Sequence, residues 1–159
     1  MIRIGYSEDI HRFDESRKLY LGGLYIENAP GLKGHSDADV VLHSLAEAIL
    51  GALALGDLGD HFPDTDPRYE GISSVLLLNE VVAIMREHNY HVNNVDIQIC
   101  AAKPKLAKYK KEIAKNIAVM LDVKDDQVSV KACSYNGLGI IGEGKGIKSV
   151  AVVLLETNN

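Results

Sequence analysis

The chain has little of what would make it a nucleic-acid binder, a membrane protein or a disulfide scaffold. Acids outnumber bases, 22 Asp and Glu against 17 Lys and Arg, for a formal net charge of -5 over 159 residues. The two signs are interspersed, whereas a nucleic-acid binder would show a basic face. No apolar run is long enough to span a bilayer and no charged-then-apolar leader opens the chain, so no membrane partner and a cytoplasmic location are expected. Only two cysteines occur, Cys100 and Cys133. Both lie in β-like runs and read as small buried apolar residues of a reducing compartment, with a disulfide possible but not demanded. There is no internal repeat and no low-complexity segment. The length suits one domain with a real core and none to spare, so residues 1–159 are expected to form a single domain.

What is present is a loose alternation of strand and helix signals. Ile2-Arg3-Ile4-Gly5-Tyr6 reads as a first strand, and Leu19 to Ile26, apolar on both sides of Gly22-Gly23, as a small β-hairpin. A helix is predicted over about 39–55, opened by Ser36 or Asp37 as N-cap and closed by a glycine cap within Gly56-Asp57-Leu58-Gly59. Residues 60–71 read as loop. Helices over about 73–89 and 106–121 follow from the spacing of Val75, Leu78, Val82 and Met85, then of Ile113, Ile117 and Met120. Residues 95–100, 127–133 and 147–155 read as strands, and the glycine-rich 137–146 as a connection. The fold class is α+β, a mixed β-sheet with helices packed on one face. The last strand is apolar on both faces in its second half, which points to subunits packing sheet to sheet.

Within this frame Asp39, His43 and Glu47 are each four apart and share a helix face. Asp9 and His11 are two apart, so in extended chain they point the same way. One carboxylate and two imidazoles, Asp9, His11 and His43, make a three-ligand set with an open position, which suits catalytic Zn²⁺ better than a closed structural site. The competing reading is three unconnected surface residues. In the metal reading, Asp39 or Glu47 accepts the second imidazole proton of His43. His35 and Ser36 precede the helix start, where amides and the helix dipole attract an anion, although Ser36 serves equally as a cap. The acid-rich run from Asp57 to Asp66 is either a solvated loop or a holder of sugar-like hydroxyls. His61, His88 and His91 read as bystanders. Lys103 and Lys105 flank Pro104 ahead of a helix, a plausible phosphate contact.

Gly5-x-x-x-Asp9-Ile10-His11, His35-Ser36-Asp37-Ala38-Asp39-Val40, His43, the run from Gly56 to Asp66 and Ala102-Lys103-Pro104-Lys105 together resemble the 2-C-methyl-D-erythritol 2,4-cyclodiphosphate synthase family of the non-mevalonate isoprenoid pathway. The resemblance runs the length of the chain. It implies a homotrimer with active sites between subunits and Zn²⁺ on Asp9, His11 and His43. It also implies a cytidine diphosphate substrate, 4-diphosphocytidyl-2-C-methyl-D-erythritol 2-phosphate, whose 2-phosphate attacks the β-phosphorus and expels CMP. A second cation, Mg²⁺ or Mn²⁺, would bridge the diphosphate. Asp57, Leu58, Gly59, Phe62, Pro63, Asp64, Thr65 and Asp66 would hold the methylerythritol. Ala101, Ala102, Lys103, Pro104, Lys105, Leu106 and Ala107 of the next subunit would form the cytidine pocket, with Ala132, Cys133, Tyr135 and Asn136 beside it. His35 and Ser134 stand where the family steadies the transferring phosphate, and Ser36, next to His35, would contact the substrate. The chemistry fits such a site: at ~4 Å and an effective dielectric of about 20, two like unit charges repel by roughly 4 kcal/mol, which cations offset.

Three stretches depart from the family pattern. A Lys-Ala-Thr-Thr-Thr-Glu-like run reads Lys131-Ala132-Cys133-Ser134-Tyr135-Asn136, so a neutral amide stands where an acid helps hold the second cation. The usual Phe is Ile140, and an Arg-x-Glu pair reads Glu143-Gly144-Lys145, with the charges exchanged. Two rival activities remain open on sequence alone: a zinc phosphohydrolase that activates water, and an inactive trimer that only binds cytidine nucleotides.

Overall fold

The computed structural model describes residues 1–158; Asn159, the last residue of the expected domain, lies outside them. Its centre is a five-stranded mixed sheet in the order β2-β1-β5-β3-β4, built from β1 (Ile2–Leu21), β2 (Leu24–Leu32), β3 (Tyr90–Cys100), β4 (Val128–Cys133) and β5 (Gly146–Thr157). Among the described residues only the β3–β4 pair is parallel. Three longer helices cover one face: α1 (Val40–Ala52), α3 (Ser74–Glu87) and α4 (Lys110–Leu121). Two single turns, α2 (Leu58–His61) and α5 (Gly139–Gly142), sit in the connections expected as loop. Leu42, Leu45 and Ile49 of α1, Leu78 and Met85 of α3, and Ile113 and Ile117 of α4 are buried with Ile97, Ile147, Val153 and Leu155 of the sheet. Each such side chain contributes roughly 1.5–3 kcal/mol through burial.

β1 is far longer than its apolar opening suggests. Past Tyr6 the charged residues Glu8, Asp9, Arg12 and Asp14 hide the period-2 signal, but the backbone stays extended because partners supply the ladder. β5 pairs with it from Ile2 to Arg12, and β2 takes over from Phe13. The chain then reverses through Gly22 and Gly23, at φ 61° and 75°, in the hairpin that the apolar flanks announced. β2 runs on through Pro30, which an edge strand tolerates.

α1 is shorter than predicted and is capped differently. Its N-cap is Asp39, neither Ser36 nor Asp37, and the left-handed residue after its end is Ala54 rather than a glycine of 56–59. What matters for the site is how closely α1 lies on β1. A Cβ on Gly5 would stand 1.7 Å from the carbonyl oxygen of Ala48. Only glycine permits this approach, and four residues along β1 it brings Asp9 up to the first turn of α1.

Candidate metal centre and adjoining cleft

Asp9 and His11 project from β1 on the face that α1 covers, and His43 descends from the first turn of α1. His11 Nε2 lies 2.9 Å and His43 Nδ1 3.3 Å from the same carboxylate oxygen, Asp9 Oδ2. One donor atom from each of the three falls within 4.8 Å of the others, the one such cluster among the described residues. Burial alone would raise the Asp9 carboxyl, but hydrogen bonds and charge from His11 and His43 outweigh it and hold Asp9 well below the usual carboxylate range. The hydrogen bond to Asp9 conversely lifts the His11 imidazole above its ordinary value, against the effect of burial.

The donor set fits a cation. His11 Nδ1 is 2.7 Å from the Lys33 carbonyl, an acceptor only, so that nitrogen carries the proton and Nε2 is left to face the carboxylate. Two acceptors 2.9 Å apart require a proton or a metal between them. The loop that supplies Lys33 is braced by Arg17, whose guanidinium donates to the carbonyls of Gly34 and Ser36.

The trio opens into a cleft of about 560 Å³. Its lining includes the expected His35, Ser36, Leu58, Gly59, Phe62, Pro63, Asp64 and Thr65. His35 Nε2 lies 3.5 Å from Asp64 Oδ2, both side chains open to solvent. Tyr69, Glu70, Ile72 and Leu77 also line the cleft. The sequence carried no signal for them beyond their place between the acid-rich run and a helix start. Asp57 and Asp66 are occupied otherwise: Asp57 caps α2 and Asp66 caps the next turn and pairs with Arg68.

Two sequence expectations about His43 need correction. Asp39 does not reach its ring. It is fully buried, and its carboxylate accepts four backbone N–H groups, from Gly22 (2.9 Å), Gly23 (2.7 Å), Val41 (3.2 Å) and Leu42 (3.1 Å). Glu47 lines the cleft but accepts from Ser7 Oγ at 3.0 Å. The group on the outer nitrogen of His43 is Ser74, whose Oγ lies 2.8 Å from Nε2. Since Asp39 occupies the first amides of α1, those amides are not open to an anion beside Ser36.

The second half of the expected site lies elsewhere in the chain. Ala101 donates to the Cys133 carbonyl at 2.9 Å, which joins the segments 101–107 and 132–136 at the carboxyl ends of β3 and β4. Neither segment lines the cleft beside Asp9, His11 and His43. Lys103, Lys105, Ala107, Ala132, Ser134, Tyr135, Asn136 and Ile140 are exposed, Ala102 and Pro104 half-buried, and Ala101 and Leu106 buried. Cys100 and Cys133 are both free thiols. Burial and the neighbouring Cys133 push the Cys100 thiol up to about 11, as a small core residue should be. Glu143 and Lys145 pair with each other at 2.6 Å. Among the bystanders, His61 binds the Leu55 carbonyl, His88 that of Ile84, and His91 the Asn158 side chain.

The model of the YgbB family matches residues 2–156. The chain is 51% identical over 154 residues to the 2-C-methyl-D-erythritol 2,4-cyclodiphosphate synthase of Clostridium novyi (strain NT), covering 97% of this chain and 98% of that one. It is 50% identical over 155 residues to the synthase of the same name from Syntrophomonas wolfei, covering 98% and 99%. Among solved structures it resembles the bifunctional IspDF of Campylobacter jejuni, with TM-score 0.94, 40% identity and 100% of this chain covered, and it spans 43% of that longer chain. It also resembles a CDP-bound 2C-methyl-D-erythritol-2,4-cyclodiphosphate synthase, with TM-score 0.90, 34% identity and coverage of 97% and 100%.

Proposed function

The chain belongs to the YgbB family and is an enzyme of isoprenoid biosynthesis that forms 2-C-methyl-D-erythritol 2,4-cyclodiphosphate; from that premise we propose how its residues do so. The substrate is 4-diphosphocytidyl-2-C-methyl-D-erythritol 2-phosphate, the leaving group is CMP, and the enzyme is a phosphorus–oxygen lyase dependent on divalent cations. The observation that carries this reading is the convergence of Asp9, His11 and His43 at the head of a cleft lined by His35, Ser36 and Asp64. The relatives whose structures hold CDP support a cytidine nucleotide as the ligand.

Asp9, His11 and His43 would hold Zn²⁺, which when bound would supply Lewis-acid stabilisation of phosphate charge. Nucleophile and electrophile belong to one substrate, so no residue has to generate the nucleophile. The protein's work is positioning and electrostatic stabilisation. His35 and Ser134 donate to the transferring phosphate; Ser134 Oγ accepts the Asn136 N–H, which leaves its own hydrogen for the ligand. Leu58, Gly59 and Phe62 to Thr65 hold the methylerythritol, and residues 101–107 and 132–136 of a neighbouring subunit hold the cytidine. The enzyme is a homotrimer made of single catalytic domains. This is favoured by the uncovered sheet face, where Ile2, Ile4, Tyr6 and Ile10 are at least half exposed, since apolar patches of this kind mark contacts between chains. No helix among the described residues is long and apolar enough to cross a membrane.

Phosphorus NMR of the reaction tests the proposal. Cyclodiphosphate with CMP is expected; inorganic phosphate would favour the hydrolase, and unchanged substrate an inactive binder. A smaller prediction concerns the second cation, Mg²⁺ or Mn²⁺. Asn136 is exposed and sits at φ 50°, where asparagine is at ease and glutamate costs about 1 kcal/mol. In water a carboxylate ~4 Å from a dication gains roughly 2 kcal/mol. Asn136→Glu is therefore expected to tighten Mg²⁺ by up to about tenfold; a magnesium titration of activity with unchanged midpoint would contradict it.

A further inference from the structure

Ser74 is fully buried, yet nothing in the packing of α3 calls for a hydroxyl there. It opens the first turn of that helix, while the capping bond to Leu76 is made by its neighbour Ser73. Its own Oγ joins two groups from other elements. It is hydrogen-bonded to Asp37 Oδ1 and lies 2.8 Å from His43 Nε2, and its backbone N–H donates to Asp37 Oδ2 at 3.1 Å. Asp37 is fixed in turn by accepting the Asp39 N–H at 3.2 Å.

A hydroxyl carries one hydrogen, and a carboxylate can only accept. The Ser74 hydrogen therefore goes to Asp37, and Ser74 can meet His43 only as acceptor. That places the imidazole proton on Nε2 and leaves Nδ1, 3.3 Å from Asp9 Oδ2, as the unprotonated nitrogen turned to the metal position. The Lys33 carbonyl does the same for His11 with the nitrogens exchanged. We propose that Ser74, held by Asp37, is a positioning residue that fixes the tautomer and ring orientation of His43 for metal ligation. The inference rests on the metal reading above and assigns no contact with substrate to either residue. It also ties the metal position to the start of α3, directly after the Gly71–Ile72 wall of the cleft.

Outer hydrogen-bond partners of metal-bound histidines typically alter affinity by roughly 10–100-fold. The test uses the full-length Ser74→Ala, Ser74→Thr and Asp37→Asn proteins, titrated with zinc against a chromophoric chelator. In parallel, nitrogen-15 NMR of the imidazoles is recorded on the metal-free proteins at a pH where they are neutral. Expected are zinc binding weakened by about 10–100-fold in Ser74→Ala, by about tenfold in Asp37→Asn, and near wild type in Ser74→Thr, which keeps the hydroxyl. The metal-free wild type should show His43 protonated on Nε2, and Ser74→Ala a mixture of both tautomers. A purely structural role for Ser74 would lower the unfolding temperature while leaving the tautomer unchanged, and that result would overturn the proposal, as would wild-type zinc affinity in Ser74→Ala. A wild type that fails to bind zinc would instead sink the metal reading, and the metal-free tautomer measurement would still decide the role of Ser74.

Discussion

His43→Ala is expected to emerge from purification without stoichiometric zinc and with kcat lower by roughly 10³-fold, while its subunit number is unchanged. Two ligands would remain, Asp9 and His11, and they would then pair with each other as a simple ion pair at 2.9 Å. A bound cation contributes several kcal/mol of charge stabilisation to phosphoryl transfer, and each 1.36 kcal/mol is tenfold in rate. The fold should survive. The His43 side chain is still partly accessible, at 16%, and the α1–sheet contact is carried by Leu42, Leu45 and Ile49. Metal content by mass spectrometry of the element, steady-state kinetics and sedimentation together check the expectation. Full zinc occupancy in the variant would mean that the ligand set is wrong.

Asp39→Ala is expected to destabilise the protein by about 3 kcal/mol or more at pH 7 in urea unfolding, a large share of the 5–15 kcal/mol typical of a domain. Removing an N-cap costs about 1 kcal/mol, and buried donors left without partners cost about 1–3 kcal/mol each. Four N–H groups depend on this carboxylate, two from the start of α1 and two from the Gly22-Gly23 turn. A loss under about 1 kcal/mol would show that those amides find other partners.

The same residue sets a pH dependence. Burial pushes the Asp39 carboxyl from 3.8 up to about 6, with its N–H donors pulling the other way. An acid that holds its proton more tightly when folded adds stability that is whole below about pH 4 and lost as pH rises to about 6. The span is about 3 kcal/mol. Asp39→Asn cannot titrate, so the stability gap between wild type and this variant should shrink by about that amount from pH 4 to pH 7. A gap that widens with pH would show that the four donors outweigh burial and that the carboxyl lies below its ordinary value.

Much of the site was legible because its signals are local. The period of each element put Asp9 and His11 on one strand face and His43 on one helix face; that the two faces meet was decided by the fold. The paired glycines of the hairpin and the apolar faces of α3 and α4 were equally plain. The misses share a cause. Ser36, Asp37 and Asp39 are all acceptable N-caps by residue type. Asp39 takes the role because the Gly22-Gly23 turn, far off in sequence, brings two further N–H groups to its carboxylate. Glu47 has the right spacing from His43, but Ser7 lies opposite it and claims the carboxylate. Ser74 was invisible as a partner of His43 because the two are 31 residues apart and belong to different helices. The length of β1 was hidden by charges that face solvent or the metal position, while its ladder depends on β5, at the other end of the chain.

The sequence by itself determined which side chains can ligate a cation, the strand and helix periods that carry them, and the family to which the chain belongs. Those are properties of residue type and short spacing. Tertiary structure decided which acid caps α1, which hydroxyl orients His43, and how close β1 and α1 approach at Gly5. It also separated the cleft beside Asp9, His11 and His43 from the 101–107 and 132–136 segments. Hydrogen-bond partners and close packing depend on distances between elements remote in sequence, and folding alone sets those distances.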